Sequence, residues 1–577
     1  MTTHSNDDLL ALIASGHAFA GETIAGFDLQ GADLARANFA GATLHNVLLN
    51  GANLTGASFV GTQVMSCRLD EARLSGAKLD KAAFMSVDLY GADLTSATLR
   101  GARLLRVDMR DANLTGADLS QAALPGSYID RSCFRGAVLR GTHLDKATLT
   151  AADFRGATIE QCSFAKASLS GALFAGVEII ESMFAEARMK AVDFDGASLE
   201  QCVLARADLR GTRLPRKMSK CSFDEADLTS LDLANTDLSG AELEEMDLSG
   251  VDLRNANLEF VSLTGTNLTR ARLEGANLER AILNDCDLTG VDLTGVSLKH
   301  CSLAGARLAG ADLSGRELEL TVLARADLTG ANLAGAILKG CVLDDANLTG
   351  ADLTRATIER ANFNNANVED IVLKDAVLSG VDFSGVDLSQ IAFEELDLPA
   401  CEFSGTDLSG RTFRGCDLTD ADFSKANLAR ATFEDCILER TVFRESNLQD
   451  ASLCNLSGRS AFFGKAKLGR TDFTGSKLRG AIFNEAQAKK ACFERCDLRE
   501  ATMEKVNATG AKFADARLTF ANLDYANLEH TDFTSADLSH ASLHDISSAG
   551  SVSTGANTTT ARRTDHERRD AERYRPF

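Results

Sequence analysis

The chain has 577 residues, a formal net charge of −22, 45% apolar residues, 46 glycines, 14 cysteines, only four prolines and no tryptophan. That apolar content excludes disorder for the bulk of the chain. Four prolines leave little from which to build linkers between the several domains that such a length allows. No apolar run is long enough for a membrane helix, and the N-terminus lacks the basic-then-apolar pattern of a signal peptide, so a soluble cytoplasmic protein is expected.

Taken in chain order, the first feature is a short helix. Ser5-Asn6-Asp7-Asp8 precedes Leu9-Leu10-Ala11-Leu12-Ile13-Ala14 and Gly16, a capped helix over residues 1–18 suited to covering the open end of a repeat array. From Ile24 onward Leu or Phe recurs every five residues, as in Leu29, Leu34, Phe39, Leu44, Leu49, Leu54 and Phe59. A small residue, usually Ala, lies two positions earlier, with Asp or Asn between. The frame holds to Leu214, shortens by one residue, and resumes from Met218 to Leu543, for about a hundred repeats.

A period of five fits neither a helix nor a flat strand. It fits a four-sided coil with one pentapeptide per side, the Leu or Phe and the small residue pointing inward. Glycine gathers two positions after the Leu, as in Leu54-Thr55-Gly56. If each corner is a turn starting at the Leu, that position needs a positive φ. Phenylalanines ten apart, such as Phe393, Phe403, Phe413 and Phe423, fall on facing sides of a twenty-residue coil and fill its core.

Eleven of the cysteines, Cys416 and Cys436 among them, occupy the small inward position and read as buried free thiols. Histidines are scattered, and no nucleophile set, metal-ligand spacing or phosphate loop stands apart from the period. No catalytic, metal or cofactor residue is assigned, and no enzymatic activity is expected.

The motif resembles A(D/N)LXX of the pentapeptide-repeat family across roughly residues 19–546. The resemblance implies an all-β, right-handed quadrilateral parallel β-helix of about 26 coils, on the order of 125 Å long at strand spacing. The expected divisions are a cap at 1–18, a first β-helix segment at 19–214, a register break at 215–221 beginning at Pro215, a second segment at 222–546, and a flexible Arg-rich tail at 547–577. Within that tail Thr564 and Glu567 could cap a short helix.

Departures from the repeat point to function. Met65, Met85 and Leu105, twenty apart and outward, should stack as an apolar ladder with Tyr90 on the adjoining side, a candidate surface for a protein partner. Phe520 and Tyr525 form a smaller outward set. Charge is uneven: residues 215–403 hold 15 basic and 33 acidic residues, against 20 and 24 before them and 25 and 25 after. The acidity peaks in 369–402 and in 224–259, where Asp224, Glu225, Asp227, Asp232, Asp237, Glu242, Glu244, Glu245, Asp247 and Asp252 form a candidate acidic patch.

The family resemblance implies a non-enzymatic protein-interaction scaffold, as in members that accompany secretion machinery such as type VI. The alternative is mimicry of duplex DNA, by which some members protect gyrase. The acidic middle carries one net charge per roughly 2.5 Å at strand spacing, against about 1.7 Å for DNA. Direct nucleic-acid or membrane binding is not expected from so acidic a body.

Overall fold

The computed structural model describes residues 5–573, as two compact units that divide after Ser297. In both units the backbone winds as a four-sided parallel β-helix with a step of twenty residues. In the first unit Asn53 pairs with Asp33 and Arg73; in the second Ser452 pairs with Thr432 and Asp472. The inward side chains are buried at five-residue spacing, from Phe19, Ile24 and Leu29 to Phe533 and Leu538.

Each corner is the turn that the glycine spacing predicts. The Ala57 N–H donates to the Leu54 carbonyl at 2.9 Å, and Gly56 between them has φ 66°. Many corners hold another residue in the same conformation, such as Glu71 (φ 57°) and Phe520 (φ 62°). A left-handed conformation costs an L-residue about 1–2 kcal/mol. What holds it is the ladder: the corner N–H of Glu71 donates to the Tyr90 carbonyl of the next coil at 2.7 Å.

The Asp or Asn of the repeat braces the turn. Its Oδ1 accepts from the N–H two residues on, as from Thr95 to Asp93 and from Thr229 to Asp227. Phenylalanines stack coil over coil in facing columns. Phe403–Phe423 and Phe413–Phe433 are near-parallel at 4.7 and 4.8 Å, and Phe413 meets Phe423 edge-on at 84°.

Regular strands form on single sides. β1–β5 (Thr23–Ala25, Thr43–His45, Gln63–Met65, Ala83–Met85, Arg103–Leu105) make one sheet in sequence order. β6–β10 (Val138–Arg140, Thr158–Glu160, Glu178–Ile180, Ser198–Glu200, Lys217–Ser219) make a second. The second unit holds the smaller sheets β11–β13 (Ile337–Lys339, Thr357–Glu359, Val377–Ser379) and β14–β16 (Phe393–Glu394, Thr412–Arg414, Thr432–Glu434).

Helix α1 (Asn6–Ala14) carries the expected cap, with Ser5 and Asp8 exchanging side-chain-to-backbone hydrogen bonds. Leu9 and Ile13, one turn apart on one face, are its buried residues.

The one-residue deletion near Pro215 does not end the sheet. β10 pairs with β9 at an offset of nineteen, Met218 beside Leu199. Pro215 is buried and lacks an N–H. The Arg216 guanidinium donates instead to the Ala234 carbonyl at 2.5 Å and reaches Asp232 at 3.1 Å. Of the other two basic residues there, Lys217 lies in β10 and Lys220 pairs with Glu200 at 3.4 Å.

The C-terminal part departs from the expected linker and tail. Coil pairing continues past residue 546, through Val552 and Asn557 to Arg562. The Ser/Thr-rich stretch keeps enough of the period to add on, as its backbone can bond the coil before it. Helix α2 (His566–Arg573) follows and contacts Asp524, Tyr525, His544 and Asp545 of the preceding coils. Its N-cap is Asp565, whose Oδ1 accepts from the N–H groups of Glu567 and Arg568, while Thr564 Oγ1 accepts from the Asp545 N–H. Tyr525 Oη donates to Glu572 at 2.5 Å, and Arg568 donates to Tyr525 Oη at 3.0 Å.

Within each unit, the pairing ladder among the described residues opens on two of the four sides. In the first unit, Asp208 with Asp227, Asp227 with Asp247, and Arg213 with Asp232 do not pair, while Ser222–Glu242 and Lys217–Asp237 do. In the second, Asn367 with Asp387 and Val372 with Ala392 do not pair, while Asn362–Asp382 and Val377–Asp397 do.

Both openings coincide with bulky residues at the small inward position: Leu231 and Met246 in one, Ile371, Ile391 and Leu396 in the other. Overpacking costs about 1–3 kcal/mol, and a ladder hydrogen bond contributes about 0.5–1.5 kcal/mol net. Parting the wall into solvent thus competes with compression. Leu456 shows the compensated case: Gly458 replaces the next large inward residue, and pairing through Ser457 is intact.

Two outcomes test this account. Phe423→Ala removes a ring from one column, at a cost of about 3–5 kcal/mol. Because each coil contacts mainly its neighbours, hydrogen exchange should accelerate in the coils holding Phe403 and Phe443 and stay unchanged near Phe134; a uniform loss of protection contradicts the account. The second concerns acid. The Arg254 side chain, then its backbone N–H, holds the Asp252 carboxyl at about 2, and hydrogen bonds with Thr229 lower Asp227. A carboxylate depressed in the fold contributes stability above its unfolded value near 4 and loses that contribution as pH falls through the folded value. Melting followed by circular dichroism should therefore be insensitive to these groups above about pH 4 and weaken toward about pH 2. Asp252→Asn, which keeps the turn acceptor, should shallow that fall.

Candidate functional site

The ladder Met65, Met85 and Leu105 is assembled by β3, β4 and β5. Met65 lies beside Met85, and Met85 beside Leu105, in parallel register. The strand alternation sends Val64, Phe84 and Leu104 into the core and their neighbours outward. Met85 is 51% exposed, Leu105 37% and Tyr90 40%; Met65 is intermediate. Ala25 and His45 continue the same row on β1 and β2. Tyr90 sits beneath the Arg110 guanidinium, 6.0 Å from the ring centroid. The structure thus brings the three ladder residues together as one partly exposed apolar stripe, with Tyr90 at its side.

The acidic residues divide by their work. Asp227, Asp232, Asp237, Asp247 and Asp252 each brace a turn, accepting from the N–H of Thr229, Ala234, Ser239, Ser249 and Arg254. Arg216 lowers Asp232, and Ser249 lowers Asp247, through hydrogen bonds to the ionised form. Glu225 binds Arg206, which holds it below the usual range, and Glu244 accepts from the Ser262 hydroxyl at 2.5 Å. Glu242 is exposed on a paired side. Asp224, Glu225, Asp227, Glu244, Glu245 and Asp247 line the opening in the first unit, a cleft of about 550 Å³. The patch is therefore part turn bracing and part cleft wall.

The smaller outward set separates. Phe520 is 60% exposed and stacks on His540 at 4.7 Å, whereas Tyr525 is taken up by α2, with Arg568 over its ring. His544 is buried beneath that helix and accepts through Nδ1 from the Asp565 N–H at 3.1 Å. Period alone gave no sign of this cluster, because the helix that completes it lies outside the repeat.

The cysteines are free thiols, and those at the small inward position are buried. Burial pushes Cys341 and Cys496 up to about 12. Cys416 and Cys436 occupy the same side one coil apart, as the spacing predicts, and each thiol donates to a carbonyl of the coil before, Phe393 and Phe413. Cys202 and Cys221 do the same toward Ile179 and Leu199 although nineteen apart, because the deletion lies between them. Among the described residues no cluster of three metal-ligating side chains forms, and no helix is long and apolar enough to cross a membrane.

Comparison with known proteins agrees with this geometry. The family model for pentapeptide repeats (8 copies) matches residues 28–63, 67–104, 92–129, 132–171, 152–194, 182–216, 217–245, 247–285, 286–319, 321–360, 358–393, 466–504 and 511–546; a pentapeptide repeat region matches 407–483. No curated protein matches the chain.

Similar solved structures include QnrB1, a plasmid-mediated fluoroquinolone resistance protein, at 21% identity over 31% of this chain and 89% of that one, with a TM-score of 0.23. HetL, involved in heterocyst differentiation regulation in the cyanobacterium Nostoc sp. strain PCC 7120, is 24% identical over 49% of this chain and 98% of its own, with a TM-score of 0.15. A thylakoid-lumen protein of Arabidopsis thaliana is 33% identical over 18% and 69%, also with a TM-score of 0.15. With family models matched along most of its length, the chain belongs to the pentapeptide-repeat family.

Proposed function

We propose that this protein is a non-enzymatic scaffold that holds a protein partner on the stripe formed by Met65, Met85 and Leu105. The carrying observation is the parallel register that stacks the exposed Met85 and Leu105 with the half-buried Met65 on one sheet. Methionine is flexible and polarisable, so a stripe of it adapts to a partner's apolar surface. Tyr90 adds an aromatic anchor with a polar end. The filled core supports a binding role over a catalytic one, since the inward residues are packed side chains. Service to a secretion system is the finer form of this reading, and its support is the family resemblance.

Duplex mimicry has weaker support. The first charge peak falls where the ladder opens, so its carboxylates do not follow one regular spacing.

The scaffold reading is tested by affinity capture with the parent chain, with Met65→Asp and Met85→Asp, and with Lys489→Asp as a control. The altered side chains point outward, so melting should be unchanged. A partner held by the parent and the control should be lost, by about tenfold or more, from both methionine variants. Identical partner sets in all four samples would overturn the assignment. Gyrase supercoiling should be unaffected by the protein. Inhibition that disappears in a chain with Glu225, Glu244 and Glu245 changed to Gln would put the mimic reading in its place.

A further inference from the structure

The opening in the second unit has both the backbone and the side chains of a receptor for another strand. In an intact coil the N–H groups of Val368, Asp370, Leu373 and Asp375 would donate to the next coil, as those of Leu353 and Arg355 do to Val372 and Lys374 at 2.8 Å. Among the described residues they have no backbone or side-chain acceptor, and neither do the facing N–H groups of Asp387 and Ala392. Two parted edges of extended backbone thus present unused donors and acceptors toward each other.

The cleft between them has a volume of about 640 Å³. Its floor is apolar. Ile371 and Leu373, inward residues by their place in the repeat, are only partly buried here, and Ile391 and Leu396 lie beside them.

The rim is net acidic. Asp375, Glu394 and Glu395 face Lys374 and Arg414. Arg414 is already bound to Glu434 at 2.8 Å, and Asp375 meets Arg355 only at 3.8 Å. Among the described residues neither Glu394 nor Glu395 has an ion-pair partner. An occupant must therefore supply extended backbone for the edges, apolar side chains for the floor and positive charge for the rim.

We propose that this opening accepts an extended peptide segment in which apolar residues alternate with lysine or arginine, added as a strand to the parted wall. Strand addition uses main-chain hydrogen bonds for affinity and alternate side chains for selection. Alternation places every second side chain on the floor and the others at the carboxylates. This opening and the stripe at Met85 belong to different units, so the test below does not depend on the scaffold assignment.

The probe is a fluorescein-labelled peptide of alternating Lys and Val, titrated with the full chain and read by anisotropy. A Glu-Val peptide and a Lys-Val peptide N-methylated on alternate amides are compared with it. Lys-Val should bind, and the other two should bind at least about tenfold more weakly, the second because it keeps the charge and loses the donors. Peptide binding should slow amide exchange in 368–375 and 387–392.

Ile371→Ala with Ile391→Ala restores the residue that the repeat prefers, so the wall should close and affinity should fall by about tenfold or more. Glu394→Gln with Glu395→Gln should weaken binding independently of any effect on packing. Glu244→Gln with Glu245→Gln, in the other opening, should leave it unchanged. Equal binding of the N-methylated peptide, or undiminished binding by the Ile-to-Ala chain, would overturn the proposal, because either result would reduce the interaction to surface charge.

Discussion

Much of this structure depends on one steric condition: the residue two before the inward Leu or Phe is small in nearly every repeat, and Arg316 and Arg411, which stand there with the ladder intact, are only partly buried. Parallel coils bond each other only when their backbones lie about 4.8 Å apart, and that residue sits in the wall between the core and the ladder. Alanine there lets each N–H reach the neighbouring coil, as Asn53 reaches the Ala32 carbonyl at 2.9 Å. Cysteine, threonine and serine are tolerated because they are little larger and can bond a carbonyl of the coil before, as Thr62 bonds Phe39 and Cys416 bonds Phe393. Leucine or isoleucine is tolerated only where something else yields.

The ladder in turn supports features that would be unfavourable alone. Arginine, glutamate or phenylalanine at a corner takes a conformation suited to glycine, and the corner N–H bond to the next coil helps hold it there. The aspartates one before the inward residue stack at coil spacing, where like charges repel. Each accepts a hydrogen bond from the turn that it braces, and several meet an arginine, as Asp153 meets Arg135 and Arg155. Much of the chain's acidity is thus the by-product of turn formation, repeated many times. Charge beyond that need sits on carboxylates that brace no turn, and Asp224, Glu244, Glu245, Asp375, Glu394 and Glu395 among them line the openings.

The parts of the fold legible in the sequence were those that the period controls. Five-residue spacing gave the four-sided coil, the Phe spacing of ten gave the facing columns, and the spacing of twenty gave the Met65–Met85–Leu105 stripe. Illegible parts were those where two positions far apart in the period act together. Ile371 and Ile391 each look like a mild substitution of Ala, and only their stacking on one side, with Leu396 on the next, parts the wall. The last coil was hidden because Ser, Thr and Gly in 547–562 have the composition of a linker. A backbone that bonds an existing edge needs less from its side chains than one that starts a fold. Helix α2 was ambiguous alone and becomes definite through Tyr525, His544 and Asp545, which belong to coils already formed.

The distribution of candidate sites follows from the same condition. A coil with a filled core offers partners only its outer surface and its faults. On the outer surface, ordinary repeats present Asp, Asn, Thr and Ser engaged with their own turns, and so little that is free to bind. A side chain there becomes available only when it departs from the turn-bracing set, as Met85 and Leu105 do, or when the wall parts and exposes backbone that has lost its neighbour. Both kinds of departure carry a cost: exposed apolar area in the first, forfeited ladder bonds in the second. Regularity elsewhere in the chain makes those costs bearable, because neighbouring coils contribute their interactions independently. Long repetition is thus what permits local irregularity, and the irregular places are where this chain has chemistry left to share.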